Sequence, residues 1–389
     1  MKNIFTVYLA FLCLPIFGQN SIAAKYAATI DSNTIRTYVY KLASNEFTGR
    51  ETGTEGNIKA AEYISSQFTK SGVPPVPGDN DHFQDVAFTT VKWHDINMQV
   101  NGTKAEHLKD YLSIPQYFPV QDIDDINISS MTFLGYGVDD ASYSDYRGKK
   151  FTGQHLLVYA GEPRNVNGAF RISGNDQPSP WSGDDELELK IMAAKRAGAA
   201  SIWIIEDQLR DKVMAARKTS LTGAMLMGSP DQLTSAYMPH ALINTSLGEN
   251  IAGKKTSKII ALRDRITLKG KPGRTKVPVD IQWKATHDIR STTGVNVLGY
   301  IEGIDPVLKN EVVVITAHFD HLGMRGNDIF FGADDNASGT SAVIEIAEAM
   351  MMAKKNNEGP KRSVLCMMVT GEEKGLLGSE YYAEHPVFP

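Results

Sequence analysis

The chain has 389 residues, of which 42% are hydrophobic and 22% charged, with a formal net charge of −5 and no long basic run. Such a composition belongs to a globular protein of two domains or one large one, with enough chain to bury a real core. It argues against nucleic acid as a partner, and beyond the first residues no segment is apolar for long enough to cross a membrane.

The N-terminus reads as an export signal. Lys2 supplies the positive start, and Ile4 to Phe17 form a short apolar run that is too brief for a spanning helix. The signal covers residues 1–18, with cleavage after Gly18 or as late as Ala24, and it predicts a secreted or periplasmic protein. Cys13 leaves with it. The mature chain then keeps only Cys366, so no intrachain disulfide can form. Cys366 sits in the apolar run Val364–Val369 and is expected in the core.

Ile35 to Val73 reads as helix, loop, helix, the loop being the glycine-rich stretch Phe47–Gly56. Ala60, Ala61, Ile64 and Phe68 recur at helical spacing, and Gly72 before Pro74–Pro75 stops the second helix. Residues 81–120 suggest short strands and turns. From about Ile126, short apolar runs alternate with Gly- and Asp-rich turns. Leu187, Ile191, Ala194 and Ala197 mark a helix, and Ser201–Ile205 a buried strand. The organisation expected is 25–125 as the first part of one domain, 126–288 as a compact α/β insert, and 289–389 as the second part.

Within that last part, Val312–Ala317 and Ser363–Thr370 are apolar strands, and Val343, Ile346, Ala347 and Met350 lie on one helix face. A strand, a helix and a strand in this order predict a βαβ unit with parallel neighbouring strands. His318-Phe319-Asp320 follows the first strand, Asp334-Asp335-Asn336 precedes the helix, and Glu372-Glu373 follows the second strand. Ligands of open α/β sheets bind beyond the carboxyl ends of the strands, so topology alone gathers all three groups. Histidine and carboxylates are the usual ligands of hydrolytic zinc. One carboxylate can bridge two ions, while a free one takes a proton from water. A ligand histidine also wants an acceptor on its other ring nitrogen, for which Asp320 is a candidate. Taken singly the groups have ordinary readings: exposed charge for Glu372-Glu373, and a helix cap for Asn336 or Ser338.

Ala317-His318-Phe319-Asp320-His321, Gly332 to Gly339 and Gly371 to Ser379 resemble, in order and separation, the motifs of the co-catalytic zinc aminopeptidases of the M28 type. The resemblance implies that His318 binds one zinc, Asp335 bridges both, Glu373 binds the other, Glu372 is the general base and Asp320 orients His318. It implies two Zn2+ ions per intact site, peptide substrates, and a cis bond between Asp335 and Asn336. Leu42-Ala43-Ser44, Gly49-Arg50 and Gly53–Gly56 resemble the N-terminal signature of bacterial members. The segment holding Gly135-Tyr136-Gly137 and Asp145–Lys149 resembles a protease-associated (PA) domain inserted in the peptidase fold. The implied fold class is α/β, a mixed sheet flanked by helices with an inserted α/β PA-like domain. His321 and His385 match no family ligand and are read as ordinary residues.

The family pattern has two more ligands, an aspartate and a distal histidine, which the chain does not reach before Pro389. It is therefore expected to be C-terminally truncated, with two protein ligands per zinc where catalytic sites have three, and to be inactive as it stands. The leading function is that of an exported zinc aminopeptidase. The alternatives are a glutaminyl cyclase-like acyltransferase, against which the insert argues, and a non-catalytic receptor that keeps the fold but loses the metal residues. Nothing in the sequence fixes the oligomeric state.

Overall fold

A computed structural model describes residues 21–119, 123–233 and 237–388. The signal-like segment 1–18, Cys13 included, lies outside the described residues. Two units emerge, one formed by the chain up to Asp85 with Gly294–Pro389, the other by Val86–Thr293.

The first unit opens with helices α1 (Ser32–Leu42) and α2 (Glu55–Ser71). Each starts where a short polar side chain accepts an otherwise unpaired amide, Asp31 from Thr34 and Thr54 from Asn57. Gly72 ends α2 in the left-handed conformation that glycine tolerates best. The long strand β1 (Thr275–Ile301) enters this unit with its last residues, followed by β2 (Val312–His318), helix α3 (Gly339–Lys355) and β3 (Ser363–Val369). β2 and β3 are parallel neighbours, paired from Val312 opposite Ser363 to His318 opposite Val369, and β3 runs antiparallel to Val297–Ile301 of β1. The sheet is therefore mixed, with the βαβ unit at one end of its strand order and β2 outermost. Ala60, Ala61, Ile64 and Phe68 of α2 are buried with Val343 and Ala347 of α3 and Val364, Cys366 and Met368 of β3. Full burial of a side chain such as Ile64 or Phe68 contributes roughly 1.5–3 kcal/mol. Cys366 is fully buried, and burial pushes its thiol up to about 12. It packs as a small apolar residue.

The second unit is a mixed sheet in the order Thr275–Ile301, Ile123–Phe133, His155–Tyr159, Ser201–Ile205, His240–Ile243 and Tyr111–Leu112. Its inner pairs are parallel and both outer pairs antiparallel. Ser201–Ile205 is buried throughout, and the helix expected from Leu187 to Ala197 spans Glu186–Arg196. Asp145 organises the turn at Gly135–Val138, its carboxylate accepting the amides of Tyr136 and Val138. A Cβ on Gly135 would lie 2.3 Å from Asp145 Oδ1, which is why glycine stands there. Where short strands were expected, Phe83–Val100 is one strand of 18 residues. The reason is visible in its burial: Val86, Phe88, Val91, Trp93, Met98 and Val100 are inside, so buried positions recur along its whole length, although their alternation shifts between Phe88 and Val91 and again between Trp93 and Met98.

Candidate metal centre

The site is built at the carboxyl ends of β2 and β3. β2 ends on His318, and the chain then turns through Phe319, which is fully buried and donates its N–H to Val369 O at 3.0 Å. β3 ends at Val369, and Gly371, in the left-handed conformation, turns the backbone into Glu372-Glu373. The loop before α3 brings in Asp335. Its bond to Asn336 is cis, as the motif implied. Asn336 Oδ1 accepts the Gly339 N–H at 3.0 Å, so the ordinary reading of this turn as a helix cap holds beside the metal reading.

Three of the predicted groups meet around His318. Its Nε2 lies 3.1 Å from Asp335 Oδ1 and 3.8 Å from Glu372 Oε2. The His318 side chain is 13% exposed and Asp335 65%, so one is held by packing and the other stands open to solvent. Glu373 points to a neighbouring position. His321 Nδ1 is 2.8 Å from Glu373 Oε1, and one ligand atom from each of His321, Asp335 and Glu373 lies within 4.8 Å of the others. This is a donor set of imidazole nitrogen and carboxylate oxygen, the chemistry a zinc ion takes. His321 Nδ1 is buried, and the atom nearest to pair with it is that carboxylate oxygen of Glu373. The set fits a metal.

Asp320 differs from its expected position. The ring nitrogen of His318 opposite Asp335, Nδ1, lies 3.2 Å from the backbone carbonyl of Asp320 and 3.8 Å from its carboxylate. The carboxylate itself, fully buried, accepts the amide N–H of Glu372 at 3.2 Å and of Glu373 at 3.3 Å, and the Thr52 hydroxyl at 3.0 Å. Burial pushes this carboxyl above its ordinary range, against the pull of those donors and of His318. The physical reason for the difference is local. The turn after β2 puts the Asp320 carbonyl beside its own strand's histidine, while its side chain reaches the amides at the end of β3.

Beneath the site lies the glycine-rich loop after α1. Arg50 is fully buried and gives its guanidinium to four backbone carbonyls: Nε to Phe319 O at 2.7 Å, Nη1 to Leu42 O and to Phe331 O, and Nη2 to Gly332 O at 2.8 Å. Burial lowers its pKa to about 10 while Asp320 and Asp335 oppose that fall, so it stays charged at neutral pH. The Arg50 carbonyl accepts the His321 N–H at 3.2 Å and the Asn57 side-chain amide at 3.1 Å. Gly49 cannot carry a side chain, since a Cβ would fall 2.5 Å from the carbonyl oxygens of Gly323 and Phe330. Thr52 joins the two strand ends, donating to Asp320 and accepting the Gly371 N–H at 3.1 Å.

Comparison with known proteins gives this arrangement a family. Residues 296–388 match the profile of peptidase family M28. The match is confined to that segment of the chain. Among relatives, the aminopeptidase YwaD of Bacillus subtilis is 31% identical over 93 residues, covering 24% of this chain and 18% of its own length. A probable zinc metalloprotease of Pyrenophora teres f. teres is 38% identical over 95 residues, covering 23% and 18%. A vacuolar membrane protease of Tuber melanosporum is 27% identical over 95 residues, 24% of this chain and 9% of that protein. The chain thus spans under a fifth of the length of these relatives in the matched region. An aminopeptidase from Aneurinibacillus sp. strain AM-1 superposes over 93% of this chain and 68% of its own with a TM-score of 0.50 at 17% identity, a likeness of fold.

Sequence reasoning read His321 as an ordinary residue and did not foresee its place beside Glu373, and it assigned no role to Arg50 or Thr52. Arg50 and the glycines around it were legible as a motif, but a carbonyl-binding role has no sequence signal. His385 is exposed, stacked on Tyr381 with ring centroids 4.4 Å apart.

Proposed function

We propose that this protein is an exported zinc aminopeptidase that removes N-terminal residues from peptides. The observation that carries the reading is the convergence of His318, Asp335, Glu372 and Glu373 on the carboxyl ends of two parallel strands, with His318 Nε2 within 3.1 Å of Asp335. His318 and Asp335 would hold one ion and Asp335 and Glu373 the other, as the family motifs imply. Zinc ions in such a site polarise a carbonyl and lower the pKa of water toward neutrality.

The chain's own residues do the rest. Glu372, 35% exposed and 3.8 Å from His318 Nε2, is the carboxylate placed to take a proton from water and return it to the departing amine. Asp320 is a positioning residue, fixing the backbone from which Glu372 and Glu373 project. The family match supports hydrolysis of peptides, and the aminopeptidases among the relatives support action at the N-terminus. The leader read in residues 1–18 supports export. Among the described residues no helix is long and apolar enough to cross a membrane.

The test, made on the full-length gene product, compares a peptide p-nitroanilide bearing a free N-terminus with its N-acetylated counterpart, before and after chelation of zinc. Release from the free substrate alone, lost on chelation and restored by Zn2+, is expected. Zinc-independent release, or equal release from the blocked substrate, refutes the proposal.

A further inference from the structure

The second unit carries a concentration of positive charge that the metal centre does not use. Residues 254–276 hold nine Lys and Arg against a single carboxylate, Asp264, in a chain whose net charge is −5. Folding adds to them from elsewhere in the sequence. Lys149, Lys150, Lys258, Arg274 and Lys276 line one open cleft of about 770 Å3 that no Asp or Glu lines. Strand pairing creates the convergence. Thr132 stands opposite Lys276 on one side and Leu156 on the other, which brings the turn before His155 alongside the start of the long strand.

All five cations are exposed. Among the described residues none of them is in an ion pair, and only Lys150 has a side-chain hydrogen bond, given to Arg196 O at 2.9 Å. Charge so gathered, without the chain's own carboxylates to offset it, leaves a positive potential over the cleft. The helix Thr256–Lys269 extends the same surface. Ile259 and Ile266 are its buried residues, and Lys258, Arg265 and Lys269 form one exposed row on the outward side. Ala261 and Leu268 stand beside that row, and Leu268 is 64% exposed.

A row of cations with an apolar side chain next to it matches a layer of anionic lipid, which offers negative headgroups above an apolar zone. A soluble polyanion offers the charge alone. Nucleic acid is a poorer match, because the one aromatic ring lining the cleft, Phe151, is buried and leaves bases no platform to stack on. We propose that this face docks the protein peripherally on membranes rich in anionic phospholipid, the cleft taking headgroup phosphates and Leu268 reaching beneath them. Each Lys or Arg near such a surface contributes roughly fivefold in affinity, so a few suffice for reversible attachment. The attachment is independent of the metal centre and of the reaction there.

The experiment is cosedimentation of the full-length gene product with vesicles of phosphatidylcholine, alone or with about one-third phosphatidylglycerol, at low and high salt. Two triple reversals are compared. Lys258→Glu/Arg274→Glu/Lys276→Glu alters the proposed face, and Arg210→Glu/Arg217→Glu/Lys218→Glu makes the same change of charge at exposed positions of the helix Leu209–Thr222. Binding is expected to the anionic vesicles only, weakened by salt, by about tenfold or more in the first triple and by less than about threefold in the second. Circular dichroism checks each fold, and Lys149→Gln/Lys258→Gln/Lys276→Gln, which removes charge without reversing it, replaces a reversal that unfolds. Equal binding to both kinds of vesicle, no binding to either, or equal losses in the two triples overturns the proposal. Binding of inorganic polyphosphate with none to vesicles also overturns it and makes the ligand a soluble polyanion.

Discussion

The carboxylate of Asp320 accepts the backbone N–H of Glu372 at 3.2 Å, and this bond ties the turn after one parallel strand to the turn after the other. The neighbouring amide of Glu373 is held by the same side chain. An aspartate placed by sequence beside the histidine thus acts mainly across the sheet, on the glutamates.

Replacing Asp320 with Ala leaves two amides and the Thr52 hydroxyl without their acceptor in a fully buried place. Unpaired buried donors cost about 1–3 kcal/mol each, with partial relief by relaxation. We expect a loss of roughly 3–5 kcal/mol in urea unfolding and weaker zinc binding, because Glu372 and Glu373 lose their anchor. A loss below 1 kcal/mol would show that the amides find other partners.

Arg50→Lys tests the base of the site. The guanidinium serves four carbonyls in a planar fork, and a lysine ammonium has neither the reach nor the number of donors to replace it. Thermal unfolding should show destabilisation of about 2–4 kcal/mol. Full stability in Arg50→Lys would mean that charge alone matters there.

Glu372→Gln keeps the shape of the side chain and removes its basicity. Turnover should fall by about 10²–10⁴-fold while zinc content, read by mass spectrometry, is retained. Unchanged turnover would assign the proton transfer to another group.

The second unit carries an acid-labile core. His240 is fully buried and His107 largely so, and burial lowers each to about 4 from the ordinary histidine value of 6.5. In the fold both are neutral at pH 6, and His240 Nε2 accepts the Ile114 N–H. The unfolded chain takes up protons near pH 6.5, the folded one only near 4. Stability therefore falls as pH drops through that window, by at most about 3 kcal/mol for each group. Thermal melts at pH 7.5 and 4.5 should show the loss, and His240→Asn should reduce the difference between them. A melting temperature independent of pH over this range would contradict it.

Much of the site was legible because strand ends gather residues by topology. Once β2 and β3 are read as parallel neighbours, His318 and Glu372-Glu373 must share an edge, and the helix between them brings Asp335 to the same edge. What escaped depends on side-chain direction and on contacts distant in sequence. His321 is three residues after His318 in a turn, where no periodicity says which way a ring points. The roles of Asp320 and Arg50 rest on backbone amides and carbonyls, which every residue has and no motif advertises. The long strand Phe83–Val100 escaped for another reason. Its polar stretch from Lys92 to Gln99 breaks the look of a strand, although buried positions recur within it.

Arg50 meets Phe319 across 269 residues of chain, and Thr52 meets Asp320 across 268. Contacts of such span cost the most loop entropy to close and form late. The metal centre is therefore expected to be complete only once the loop that holds Arg50 and Thr52 has docked on its histidine turn. Zinc uptake after dilution from denaturant would report the finished fold, and its rate should track the closing of that loop rather than the pairing of β2 with β3.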